Sequence, residues 1–232
     1  KYHFEIPASL GAIRRVIKSH KLVRKRRKVY QKKRDMRAVK AKRPTMAHMQ
    51  MDVKHLYDIP NYWEQIKDLG LPRFQYTVRE TKTGMLFLGY SNELSELNAR
   101  TMVDSVLNKM KEFCPLEFSQ VTVQTDNGTE FSGLARTVDK APFVHLIEKI
   151  HGANHTFIRP GHCNANADVE SSHALIEEEF FDLARFRNRE DFFRQAETYR
   201  LYFNFRRPNF YKGIKTPVEI CTNDWGPKVS LK

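Results

Sequence analysis

Hydrophobic and polar positions follow a period of two in several short stretches of the chain. Over residues 46–56, Met49, Met51 and Val53 share one parity and Gln50, Asp52 and Lys54 the other, which predicts a strand. Residues 74–79 and 85–90 alternate around Thr81-Lys82-Thr83-Gly84, a hairpin with a glycine turn. Val121 and Val123 alternate with Thr122 and Gln124, and residues 153–158 give a last short strand. Elsewhere the period is helical. Met102, Val106, Leu107 and Met110 predict a helix over 98–113, capped by Asn98 and followed by Pro115. Phe143, Leu146, Ile147 and Ile150 predict another over 139–151, all four inward. Helices over 165–186 and 189–206 carry Phe180, Phe181, Leu183, Phe186, Phe192, Phe193, Tyr199, Tyr202 and Phe203, an aromatic stripe that reads as core before it reads as a base-stacking platform. Residues 57–72 read as an insertion with a short helix ending at Gly70 and no chemistry of its own.

The first 43 residues differ in kind. Residues 8–20 predict a helix with Ser9 as its cap, an apolar stripe of Leu10, Ile13, Val16 and Ile17, and Arg14, Arg15 and Lys18 on the remaining surface. From Lys21 to Arg43 large apolar residues are nearly lacking, so the segment cannot order itself by burial. Pro44 ends it, and the domain boundary is expected at 43–45. Residues 1–43 hold 17 Lys/Arg against 2 acidic residues, whereas the other 189 hold 23 against 25. That asymmetry fits a basic arm on a nearly neutral body, with nucleic acid as the partner and Arg24, Lys25, Arg26, Arg27 and Lys28 on phosphates; the bland reading is a solvated tail. Phosphate contacts of this kind weaken steeply with salt.

The chain has 232 residues, enough for one or two domains with a buried core. No apolar run is long enough for a membrane span. Cys114, Cys163 and Cys221 are an odd, scattered set, which fits a reducing compartment better than a disulfide framework. The sequence begins at Lys1, so it is expected to be a piece of a longer protein.

Asp126 stands where a strand gives way to Asn127-Gly128, a strong turn signal in which glycine permits angles that a Cβ forbids. A carboxylate at that place is either a functional group at a strand end or a turn residue capping its own backbone. The run Thr125-Asp126-Asn127-Gly128-Thr129-Glu130-Phe131 resembles the T-D-N-G-x-E-F signature of the DDE integrase/transposase catalytic core. Asp52, after the basic linker, resembles the opening aspartate of that core. Arg159-Pro160-Gly161 through Asn166-Ala167-Asp168-Val169-Glu170 resembles the family's Pro-rich loop followed by N-G-x-V-E, with Ala167 in place of the usual glycine. Asp126 and Glu170 are separated by 43 residues, longer than is usual in the family. The closing run Tyr202-Phe203-Asn204-Phe205-Arg206-Arg207-Pro208 to Thr216-Pro217 is similar to the Y-N-x-x-R-P…T-P end of insertion-sequence transposase cores.

The resemblance covers about residues 46–220 and implies an α/β, ribonuclease-H-like fold: a mixed five-stranded sheet flanked by helices, with residues 1–20 the end of a helix-turn-helix-like region, 21–45 a basic linker and 221–232 a tail. A plain amphipathic helix is the competing reading of residues 8–20. It further implies a catalytic triad of Asp52, Asp126 and Glu170, all oxygen donors, holding two Mg²⁺ or Mn²⁺ ions about 3.5–4 Å apart. Asp168 is the runner-up for the third carboxylate, and Asn166, Glu170, His173 and Glu177 share a helix face, with Asn166 and His173 expected on DNA and His162 or His173 near the scissile phosphate. Glu80, where relatives commonly have Asp, reads as a turn residue. The implied activity is cleavage at transposon ends and 3′-hydroxyl strand transfer into target DNA, by a homo-oligomer on DNA, in a bacterial cytoplasm or nucleoid or in a nucleus. The alternatives are a DNA-binding regulator with a repurposed core and a nuclease of the same fold that does not join ends. Zinc at His151, His155, His162 and Cys163 is disfavoured, since these straddle a helix end, a strand and a loop without a CxxC.

Overall fold

A computed structural model of the chain describes residues 8–20, 22, 36–133, 141–159, 161 and 163–226; Arg24, Lys25, Arg26, Arg27, Lys28 and His162 lie outside them. The chain divides into two compact units, Lys1–Met36 and Arg37–Lys232. In the first, helix α1 (Leu10–Ser19) is capped by the Ser9 hydroxyl, which accepts from the Ala12 amide at 3.2 Å. Leu10 and Val16 are exposed, as are Arg14, Arg15 and Lys18.

The second unit begins ahead of the expected boundary at 43–45. Residues 37–43 belong to it: α2 (Arg37–Ala41) pairs Lys40 with Asp168, and Arg43 Nη1 donates to the Thr81 hydroxyl at 3.2 Å. Strand β1 (His48–His55) lies at the centre of a five-stranded sheet. Helix α3 (Pro60–Leu69) follows and stops at Gly70, whose φ of 59° is the left-handed geometry that ends helices on glycine. Strands β2 (Phe74–Glu80) and β3 (Leu86–Ser91) form the expected antiparallel hairpin against β1. Helix α4 (Glu96–Phe113) returns the chain to β4 (Thr122–Thr125), which runs parallel to β1. After α5 (Thr129–Ser132) and α6 (Pro142–His145), β5 (Asn154–Phe157) pairs parallel to β4. The order β3-β2-β1-β4-β5, antiparallel on one side of β1 and parallel on the other, is the ribonuclease-H-like sheet.

One sheet face carries Met49, Met51, Val121 and Val123, covered by Val103, Val106, Leu107 and Met110 of α4 with Phe131 and Phe143. The other is covered by α7 (Ala167–Ile176) and α8 (Arg189–Phe205), where Ile176, Phe181, Phe186, Phe192 and Phe203 pack with Tyr62 and Leu56. Ring contacts such as Tyr62–Phe181, with centroids 4.9 Å apart, show the aromatic stripe to be core. Helix α9 (Pro217–Trp225) starts with a reciprocal Thr216/Glu219 capping box and buries Cys221 completely, so the expected tail at 221 is instead helix up to Trp225.

Several sequence expectations need correction. The cap of α4 is Ser95, three residues before Asn98, whose side chain instead donates to Ser91 Oγ and the Glu93 carbonyl. Ile150 is exposed because α6 continues as a π-helix over Leu146–Ile150, and the wider turn rotates it away from Phe143 and Ile147. Leu183 is exposed because it follows the end of the π-helical turn Glu177–Phe181 that continues α7. Phe193 and Tyr202 flank the buried α8 stripe of Phe192, Ala196, Tyr199 and Phe203 and remain partly in solvent. Glu80 closes the hairpin turn as expected but is fully buried, its carboxylate accepting from the Lys82 and Thr83 amides and the Thr83 hydroxyl.

Candidate active site

Register builds the site. Strand β1 pairs with β4 as His48–Thr122, Met49–Val123 and Gln50–Gln124, so the same offset carried two residues further sets Asp52 beside Asp126. Asp126 follows the carboxyl end of β4, where an open α/β sheet presents its ligands, and Asp52 stands inside β1 just beyond the stretch paired with β4. Asp52 is half-buried at 22 % side-chain exposure, and its Oδ1 accepts from the Val53 amide at 2.9 Å. Asp126 Oδ1 accepts from the Gly128 amide at 2.9 Å, closing the turn. Gly128 has φ −55°, which any residue adopts; what its bare Cα supplies is room, since a Cβ there would lie 2.6 Å from the Glu130 carboxylate.

The start of α7, which carries Glu170, is held on the sheet by two glutamines. Gln50 on β1 and Gln124 on β4 both donate to the Ala165 carbonyl, at 2.6 and 3.0 Å. Gln50 Oε1 also accepts from the Asp168 and Val169 amides at 3.1 and 3.2 Å, satisfying first-turn donors that the helix itself cannot. Asn166 Nδ2 donates to the Met51 carbonyl at 3.4 Å. These contacts fix the start of the helix bearing Glu170 to β1 and β4. Glu170 itself is exposed.

Burial, with Asp126, Glu170 and Glu130 as like-charged neighbours, pushes Asp52 up to about 7, against a single lowering contact from the Val53 amide. Burial also raises Glu130, and Asp126 adds to it. Glu130 is thus a fourth carboxylate at the site, which the sequence offered only as one letter of a motif. Among the described residues, no three or more His, Cys, Asp or Glu side chains stand close enough together to hold a metal ion. Asp52 and Asp126 accept instead from the Val53 and Gly128 amides. The donor set fits a hard divalent cation: oxygen atoms only, crowded enough to raise one another's proton affinity.

Asn166 and His173, expected on DNA, are buried and use their polar atoms within the protein. His173 Nε2 lies 3.0 Å from the Thr77 hydroxyl and Nδ1 lies 3.7 Å from Asp52 Oδ2. Burial, then Lys54 and Arg79, pulls His173 down to about 3, so the imidazole is neutral and stands beside Asp52 without forming an ion pair. Asp168 points to Lys40, away from the other carboxylates. His151 Nε2 is 2.7 Å from Asp104 and His155 Nε2 3.0 Å from the Thr125 hydroxyl, while His162 lies outside the described residues. No described helix is long and apolar enough to cross a membrane.

No protein-family model and no curated protein matches the sequence. Among solved structures, the catalytic core domain of BIV integrase is similar at a TM-score of 0.49 and 16 % identity, covering 75 % of this chain and 93 % of that one. A likeness of that size fixes nothing about activity. The strand order, the parallel β1–β4 pairing and the seating of α7 are what make this chain a ribonuclease-H-like core.

Proposed function

We propose that this chain is a metal-dependent polynucleotidyl transferase of the transposase type, which cleaves DNA at element ends and joins the freed 3′-hydroxyl to target DNA. The observation that carries the reading is the β1–β4 register, which sets Asp52 beside Asp126 while Gln50 and Gln124 hold the start of the Glu170 helix over both strands. Asp52, Asp126 and Glu170 would hold two Mg²⁺ or Mn²⁺ ions, with Glu130 close by. When bound, the ions would supply Lewis acidity at the phosphate and at the attacking and leaving oxygens. The chain's own contribution is orientation. Gln50 and Gln124 fix the angle of α7, and neutral His173 places no competing cation beside Asp52. In the joining step a P–O bond forms from the 3′-oxygen as the target P–O bond breaks in line, which requires no covalent enzyme intermediate. The exposed cations of α1 and the basic arm would grip backbone phosphates, so DNA binding is expected to be separable from chemistry.

Asp52→Asn, Asp126→Asn and Glu170→Gln are each expected to lower strand cleavage and joining by at least about a thousandfold while DNA binding persists. Retained cleavage in any one removes that residue from the triad. The rival regulator reading is favoured by the fact that, among the described residues, no three carboxylates stand as a ready ion-holding set, and it gains if the wild-type chain binds DNA but neither nicks nor joins it with Mg²⁺. Cleavage without joining identifies a nuclease.

A further inference from the structure

Helix α7 also borders a cavity of about 800 Å³ on a different face from Glu170, lined by Asp168, Ser171, Leu175 and Glu178 of the helix and by the segment from Arg207 to Lys215. Six cationic side chains line it, Lys40, Arg79, Lys82, Arg207, Lys212 and Lys215, against only two carboxylates, Asp168 and Glu178. Three of the six have carboxylate partners: Lys40 with Asp168, Lys82 with Asp224 at 2.6 Å and Arg207 with Glu179 at 2.5 Å. Lys212 donates to the Thr81 and Lys82 carbonyls, which are dipoles rather than charges. The nearby Glu80 carboxylate is already engaged by the Lys82 and Thr83 amides and the Thr83 hydroxyl.

Arg79 stands apart. It is 6 % exposed, its guanidinium lies 5.3 Å from the Phe203 ring, and its Nη1 has no hydrogen-bond partner. A buried guanidinium nitrogen without an acceptor is strongly unfavourable, and the protein interior supplies none here. Burial lowers both Arg79 and Lys212, and the nearby Asp168 and Glu80 carboxylates only partly offset it, with Arg207 acting against Arg79 and with Arg79 and Lys40 acting against Lys212. A multiply charged anion would resolve the excess of cations and the orphaned donor together, and a guanidinium fork matches phosphate oxygens in geometry.

We propose that this cavity binds a phosphate group, with Arg79 as the buried anchor and Lys212 and exposed Lys215 as the outer contacts. The inference stands independently of the carboxylate site, on whose chemistry it makes no demand. The phosphate can come from a small polyphosphate or from the backbone of a nucleic-acid strand.

The test is calorimetric titration of the full chain with inorganic pyrophosphate, comparing wild type, Arg79→Met and Lys215→Gln. Wild type is expected to show saturable binding beyond any heat from the basic arm. Arg79→Met should weaken it at least about tenfold and Lys215→Gln by a few-fold. Lys215 is on the surface, so its variant keeps the test valid if Arg79→Met misfolds. Absence of a saturable site in wild type, or equal affinity in wild type and the folded variants, overturns the proposal. A duplex-DNA competition then separates the sources. If pyrophosphate and Arg79→Met each weaken DNA binding, the native ligand is a strand phosphate; if neither does while pyrophosphate binds, it is a small polyphosphate.

Discussion

Beneath α4 the sheet presents Met49, Met51, Val121 and Val123, each fully buried; beneath α7 it presents Gln50, Asp52, Thr77 and Gln124. The first face is held by area removed from water, a term without direction that tolerates small shifts. The second is held by hydrogen bonds of fixed geometry, from Gln50 and Gln124 to the start of α7 and from His173 to Thr77. A directional network is what three carboxylates from separate elements require if they are to share one centre. The difference teaches that the α4 side is held by burial alone, whereas the α7 side adds to its own aromatic core a directional network able to position chemistry.

That division can be broken by substitution. The largest effect is expected from Leu107→Ala on the α4 face, which should cost about 2–5 kcal/mol in urea denaturation with cleavage per folded molecule unchanged. A matching loss of specific activity would show that the two faces are not separable.

Asp52 sharpens the contrast from the other side. The folded chain keeps the Asp52 proton up to about pH 7, whereas an unfolded chain releases it near 3.8. The folded state therefore binds more protons between those values, and this group's contribution to stability falls as pH rises through that window. Asparagine never ionises. Asp52→Asn should accordingly be more stable than wild type at pH 8 without divalent cation, by up to on the order of 4 kcal/mol, with the gap closing toward pH 4 and shrinking when Mg²⁺ is added. Equal denaturation midpoints at pH 8 would remove the charge crowding from the account.

Gln50→Ala is expected to have a smaller effect, in the opposite currency. It deletes three hydrogen bonds to α7 and should lower cleavage about 10- to 100-fold, with DNA affinity unchanged. Unchanged activity would mean that α7 finds its place without this contact.

The α4 face was legible in the sequence because burial imposes a period: Met49, Met51 and Val53 announce a strand, and Val106, Leu107 and Met110 a helix. Asp126 was legible through the resemblance of Thr125–Phe131 to a family motif, since the turn signal by itself fits a capping carboxylate equally well. The network on the α7 face was not. In the sequence Gln50 and Gln124 show only as the polar parity of their strands, since the groups they satisfy lie 41 to 119 positions away. The membership of α2 in the core was hidden for the same reason, as Lys40 finds Asp168 across 128 positions. Ile150 was misplaced by assuming an α-helical turn where the backbone takes a π turn. Local pattern identifies which residues are buried, but long-range pairing decides which polar ones are buried with them.

The central claim is that Asp52, Asp126 and Glu170 act as one cation centre, and titration of Mn²⁺ into the full chain, read from the spectrum of the free ion, tests it most directly. Saturable uptake by wild type that is lost in each of Asp52→Asn, Asp126→Asn and Glu170→Gln is the predicted result. Uptake by wild type no different from that of the triple variant would contradict it.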